Sequence, residues 1–144
     1  SRFDAKERKY LYRIVNRNSP LSIEKGRAWL VMKNLNLEKM QACAPIIEGK
    51  HDFTTFRSVN CQSKSPIKNL NSCKITQQDD NIYFGFVAPS FLQHQIRSLV
   101  GTIKMVGEGL WDIERLQQAL DAKDRSKCGA LAPAEGLYFM EVKY

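Results

Sequence analysis

Hydrophobic and polar residues alternate from Arg8 to Val15, setting Tyr10, Tyr12 and Ile14 on one side and Lys9, Leu11, Arg13 and Val15 on the other. A period of two is that of a strand with one face buried, so this segment is predicted as the first strand, with Tyr12 its core tyrosine. Asn16-Arg-Asn-Ser-Pro20 ends it in turn-forming residues, and Leu21 to Lys33 reads as a loop carrying Trp29. The spacing then changes. Leu37, Met40, Ala44 and Ile47 recur as one helical face that Asn36 can cap and Gly49 can close, although Pro45 must kink or shorten it. Gly49 to Pro66 is a polar and aromatic connector with one helical turn expected over Thr54 to Arg57.

Lys68 to Gln77 and Asn81 to Ala88 read as an antiparallel pair joined at Gln78-Asp-Asp80, with Ile82, Phe84, Phe86 and Ala88 facing inward. A long helix follows from Ser90 to about Gly107, where Leu92, Ile96, Leu99, Ile103 and Val106 repeat at helical spacing. Asp112 caps another helix with Ile113, Leu116 and Leu120 inward, and Leu137 to Tyr144 alternates again as a final strand. Strands and helices mixed in this order predict an α+β fold: a mostly antiparallel mixed sheet covered by helices on one face. With no repeat and no low-complexity linker, residues 1–144 are expected to form one domain.

Composition narrows the picture. A chain of 144 residues with 43% hydrophobic and 26% charged residues can bury a core, so disorder is not expected. No apolar run approaches the ~18 residues of a membrane span, and Ser1-Arg-Phe-Asp lacks a secretory pattern, so a cytosolic protein is the simplest expectation, with no membrane partner. The net charge is +7, and residues 1–30 carry eight Lys or Arg against three acids. That excess suits an anionic partner such as RNA, although many small proteins are basic without binding nucleic acid. Cys43, Cys61, Cys73 and Cys128 are scattered, and His51 and His94 are the only histidines, so no metal site is expected and the cysteines should remain thiols.

On the long helix Gln93, Arg97 and Gly101 recur at steps of four, forming a polar stripe beside the apolar one. A guanidinium is planar, permanently charged and able to hold a carboxylate bidentately, which suits Arg97 to orienting an acidic group; on spacing alone it is more often a solvated helix arginine, since exposed arginines far outnumber catalytic ones. Arg57, Lys64, Lys68, Lys123, Arg125 and Lys127 fall in or beside loops, where cations can follow a phosphate backbone or simply be solvated. Arg125 has a further option, a bond to Asp124 or to a loop carbonyl.

Several segments together carry a resemblance. Arg8-Lys-Tyr10-Leu-Tyr12-Arg-Ile, Gly49-Lys-His-Asp52-Phe-Thr-Thr-Phe-Arg57, Cys61-Gln-Ser-Lys64, Phe91-Leu-Gln-His94-Gln-Ile-Arg97, Ala122-Lys-Asp-Arg-Ser-Lys127 and Glu135-Gly-Leu137-Tyr138 are similar to the C-terminal half of the tRNA pseudouridine synthase A family, over nearly all of the chain. That family's Arg-Thr-Asp-Ala-Gly-Val-His type segment, which bears its catalytic aspartate, does not occur in these residues. The resemblance therefore implies the second half of a two-lobed enzyme, inactive by itself. It also implies a cofactor-free isomerisation of uridine to pseudouridine in the anticodon stem-loop of tRNA, by a homodimer. An aspartate attacks either C1′ or C6, and uracil leaves C1′, rotates and rejoins through C5.

By the same resemblance Arg97 matches the arginine that pairs with the aspartate, Tyr10 the tyrosine lying against the uracil, and Leu137 an apolar residue lining its pocket. Asp52 is read as structural or RNA-contacting rather than as a substitute nucleophile. The chain departs from the family's pattern at Gln93-His94-Gln95, where His-His-Met is common, and at Pro45 and Pro89. A noncatalytic RNA-binding or dimerisation module is the alternative reading.

Overall fold

The computed structural model describes residues 7–17, 28–57, 67–89 and 93–143, with side chains up to residue 140. Strand β1 (Glu7–Asn16) is the centre of the main sheet. Along one edge it pairs antiparallel with β6 (Asn81–Ala88), from Arg8 opposite Ala88 to Val15 opposite Asn81, and β6 in turn pairs with β5 (Ser72–Gln78). The other edge is shared. Strand β7 (Leu137–Lys143) lies antiparallel along Glu7 to Tyr12, while a short strand β2 (Trp29–Val31) lies parallel along Ile14 to Asn16. The register between β1 and β7 shifts between Lys9 and Tyr10, which leaves Met140 as the extra residue of a bulge.

The alternation in the sequence decides the faces. Tyr12, Ile14, Ile82 and Phe84 are wholly buried and Phe86 nearly so, on one side of the sheet, while Lys9, Leu11, Arg13 and Tyr83 on the other side are only half-covered. Helices cover the buried side: α1 (Leu37–Gln41), α2 (Ala44–Ile47), α3 (Gln93–Glu108) and α4 (Ile113–Ala122). The predicted α+β arrangement is thus present. In α3, Ile96, Leu99, Val100 and Ile103 are completely buried against the sheet. Each such side chain contributes about 1.5–3 kcal/mol by leaving water, which outweighs the β-branched residues' modest helix penalty.

Five expectations need correction. The single helix expected from Leu37 is two: Asn36 caps α1 by accepting from the Lys39 amide at 3.0 Å, and Pro45 lies in the first turn of α2, where its missing N–H costs nothing. The single strand expected from Lys68 to Gln77 is broken at Asn71. Its first part, β4 (Ile67–Leu70), pairs not with β6 but with β3 (Gly49–Asp52), a strand expected to be connector. Trp29 lies in a strand, not a loop, because its neighbours hydrogen-bond along β1 and its ring meets Tyr12 edge-on at 6.4 Å. Ile113 is 38% exposed rather than inward, since it opens α4 directly after the Asp112 cap.

Strand β5 is an edge of the main sheet, and two side chains occupy its outward backbone groups. Gln41 donates to the Ile75 carbonyl at 2.8 Å, and the Glu48 carboxylate accepts from the Cys73 amide at 2.8 Å. An edge blocked in this way offers less of a template to another chain's strand.

Candidate active site

Helix α3 and β1 bring Arg97 and Tyr12 to the same place. A strap of extended chain, residues 128–133, lies along α3 and connects to β7 through a 3-10 turn, Ala134–Gly136. Its hydrogen bonds follow the helix: the Gly129 amide donates to Thr102 Oγ1 at 3.2 Å, and that hydroxyl donates to the Ser98 carbonyl at 2.8 Å. Arg97 then meets Ala132 twice. Its Nε donates to the Ala132 carbonyl at 2.8 Å, and its own carbonyl accepts from the Ala132 amide at 3.0 Å. The approach is possible because position 101 is glycine: a Cβ there would lie 2.0 Å from the Ala130 oxygen.

One residue farther along the strap, the hydroxyl of the buried Tyr12 donates to the Pro133 carbonyl, and its ring lies against Gly136, where a Cβ would meet it at 2.6 Å. Burial pushes its pKa well up, the nearby Arg97 charge counters part of that, and Glu135 adds to it, so Tyr12 is a phenol at neutral pH. Leu137, half-buried, is in register with Tyr12 across β1 and β7. The structure thus gathers Arg97, Tyr12 and Leu137. Among the described residues no carboxylate forms an ion pair with Arg97.

Tyr10 is on the same face as Tyr12 and Leu137, next to them in the register. It is 6% exposed, and its ring packs at 5.2 Å, tilted by 47°, on Phe139, which is 51% exposed. The open aromatic surface beside the site is therefore Phe139, which the sequence pattern did not single out.

The loop cations divide. Arg57 follows a 3-10 turn at Thr54–Phe56, and its carbonyl accepts from Arg125 Nε at 2.8 Å, so Arg125 takes the loop-carbonyl option. Lys123 caps α4 in the left-handed conformation, with φ 52°, and Arg125 and Lys127 form the next 3-10 turn; all three are exposed. Asp52 accepts from the Thr54 amide at 2.9 Å and from its hydroxyl. Burial alone would raise its pKa, but these bonds and the charges of Lys123 and Arg57 hold it below the ordinary carboxylate range. It is a loop cap. Lys68 lies apart on β4, in register with His51, and Lys64 lies outside the described residues.

His94 joins the two groups. One turn before Arg97, its Nδ1 faces Ser98 Oγ at 3.4 Å, and the Phe56 backbone favours its charged form. Partial burial lowers its pKa, and the charges of Arg97 and Arg125 lower it further. Arg97 and Arg125 thus mark a positive margin from α3 to the turn after α4, with the His94 imidazole, held below its ordinary pKa, between them. Nothing local signalled Tyr12's hydroxyl, whose partner is 121 residues away.

Among the described residues no group of three or more His, Cys, Asp or Glu is placed to hold a metal ion. Burial pushes the Cys43 thiol up to about 12 and raises Cys73 and Cys128 as well, so these three are poor nucleophiles. Cys61 lies outside the described residues. No helix is long and apolar enough to cross a membrane among the described residues.

A family model described as tRNA pseudouridine synthase matches residues 44–144. The whole chain is 49% identical to tRNA pseudouridine synthase A of Parvibaculum lavamentivorans and 48% identical to that of Caulobacter vibrioides, covering 58% of each. It is 47% identical to that of Rhizobium leguminosarum bv. trifolii, covering 54%. The chain thus spans little more than half the length of these relatives. With the match over residues 44–144 and the similarity along all 144 residues, the chain belongs to the tRNA pseudouridine synthase family.

Proposed function

We propose that this chain is the C-terminal portion of a synthase that isomerises uridine to pseudouridine in the anticodon stem-loop of tRNA. In this reading Arg97 holds the aspartate nucleophile, which a segment outside this sequence supplies, ionised and oriented. The observation that carries the reading is the anchoring of Arg97: its Nε is tied to Ala132 on a half-buried stretch of α3, beside Tyr12 and in reach of the strand that bears Leu137. The guanidinium is planar by its own bonding, and tying Nε to the Ala132 carbonyl fixes which way its terminal amino groups face, as a bidentate carboxylate requires. Tyr10 and Leu137 line the uracil side of the cleft, and the reaction proceeds without a cofactor.

Arg57, Lys68, Lys123, Arg125 and Lys127, with Lys64, carry the tRNA backbone in this proposal. Phosphate contacts there position the stem-loop and leave base selection to the cleft. The working enzyme is a cytosolic homodimer, which rests on family resemblance alone.

The reaction itself supplies the assay. Moving the glycosidic bond to C5 expels the hydrogen carried there, so tRNA labelled with tritium at uridine C5 releases label to water. The expected result is release by the longer protein containing this segment, release reduced by about a hundred- to a thousandfold in its Arg97→Ala variant, and none from the 144-residue chain. Turnover unchanged in Arg97→Ala would remove the role assigned to the guanidinium. tRNA binding by the longer protein without any release would favour a noncatalytic RNA-binding module.

A further inference from the structure

We infer that Tyr12 is a positioning residue for Arg97, acting through the strap that both side chains hold. The inference rests on the role proposed for Arg97, and its basis is geometric. Tyr12 holds the chain on both sides of the 3-10 turn, its hydroxyl donating to the Pro133 carbonyl and its ring packed on Gly136, so the turn cannot shift along β1 without losing that bond and that contact. The neighbouring residue, Ala132, is completely buried and exchanges both of its backbone bonds with Arg97. Two glycines close the remaining freedom, because a Cβ at Gly136 would lie 2.6 Å from the Tyr12 ring and one at Gly101 would run into Ala130.

The chain of contacts therefore runs from phenol to turn, from turn to Ala132 carbonyl, and from that carbonyl to the guanidinium. Packing alone would fix the ring of Tyr12, and a phenylalanine would serve as well. The hydroxyl is what links the ring to the strap. A guanidinium misplaced by an ångström loses much of its hold on an attacking carboxylate, a loss that appears in the chemical step and not in tRNA binding.

The test is Tyr12→Phe, which keeps the ring and removes the bond to Pro133. In the longer protein, kcat should fall about ten- to a hundredfold with KM for tRNA within about twofold. In the 144-residue chain, the Arg97 Nε–H resonance should shift and exchange with solvent at least about tenfold faster. Adding Tyr12→Phe to Arg97→Ala should cost no further turnover, because the hydroxyl acts only through the guanidinium.

Unchanged kcat in Tyr12→Phe, with Arg97→Ala inactive, would overturn the inference and leave the proposed function standing. Multiplicative losses in the double variant would overturn it too. Turnover retained by Arg97→Ala would instead sink the proposed function. If Tyr12→Phe does not fold, Ala132→Gly carries the test, since it keeps every bond and loosens only the strap; a smaller kcat loss at constant KM is expected, and no loss overturns the inference.

Discussion

At the scale of residues, the site is built by close approach more than by charge. Gly101 lets the strap lie on α3, so Gly101→Ala should destabilise the chain by about 1–3 kcal/mol, the usual cost of overpacking, because backbone must move to admit the methyl. Urea unfolding would measure it, and a midpoint equal to that of the unsubstituted chain would contradict the packing described. His94 gives a second prediction. Its folded pKa is lowered, so the unfolded chain binds a proton more readily, and stability present above the ordinary histidine value of about 6.5 is lost as pH falls through that value towards the folded one. Unfolding midpoints of His94→Gln should therefore depend less on pH across this window than those of the parent; equal slopes would show that His94 is not responsible. The sequence marked Arg97 as unusual through its place on an apolar helix. It could not mark the Tyr12 hydroxyl, because a buried tyrosine in an alternating strand has the same pattern whether its oxygen has a partner or not.

At the scale of elements, the legible parts were those whose stabilising groups are close in sequence. Asn36 and Asp112 were readable as caps because the amides they accept from are three residues on, at 3.0 and 2.8 Å. Asp112→Ala should accordingly cost about 1 kcal/mol and fray the start of α4, seen as faster amide exchange at Arg115; an unaltered exchange rate would mean the cap is not holding the helix. β6 and α3 were legible for a similar reason, long runs with a clear period. The failures were short. Three residues of β2 and four of β3 hold too little pattern to register, and each exists only because a distant strand presents a free edge to it. Asn71 separates β4 from β5 without any breaker strong enough to reveal that the two strands take different partners.

At the scale of the whole molecule, the positive margin is the feature with a measurable signature. Lys123 and Lys127 are exposed, while Arg57 and Arg125 are tied to each other through a backbone carbonyl, so the margin is partly preformed before any anion arrives. If it follows tRNA phosphates, the double variant Lys123→Gln/Lys127→Gln should bind more weakly to every tRNA alike. Its salt dependence should be shallower by about 1.4 to 1.8 in log–log slope, because each phosphate that a lysine no longer neutralises keeps its own counterion. A slope unchanged by both substitutions would place the phosphate path elsewhere. The margin and the Arg97 site meet beside His94, on the first turns of α3.

The sequence alone determined the α+β class, the buried face of β1 and β6, the long helix and its inward stripe, the caps, the basic excess and, through resemblance, the family. Those properties depend on periodicity, on interactions a few residues apart, or on total charge, all of which a linear string records. Tertiary structure decided which strands pair, that Pro45 starts a helix rather than breaking one, that Phe139 rather than Tyr10 is exposed, and that Tyr12 and Arg97 hold one strap between them. Each depends on residues remote in sequence meeting at contact distance, and such meetings follow only from the packing of the whole.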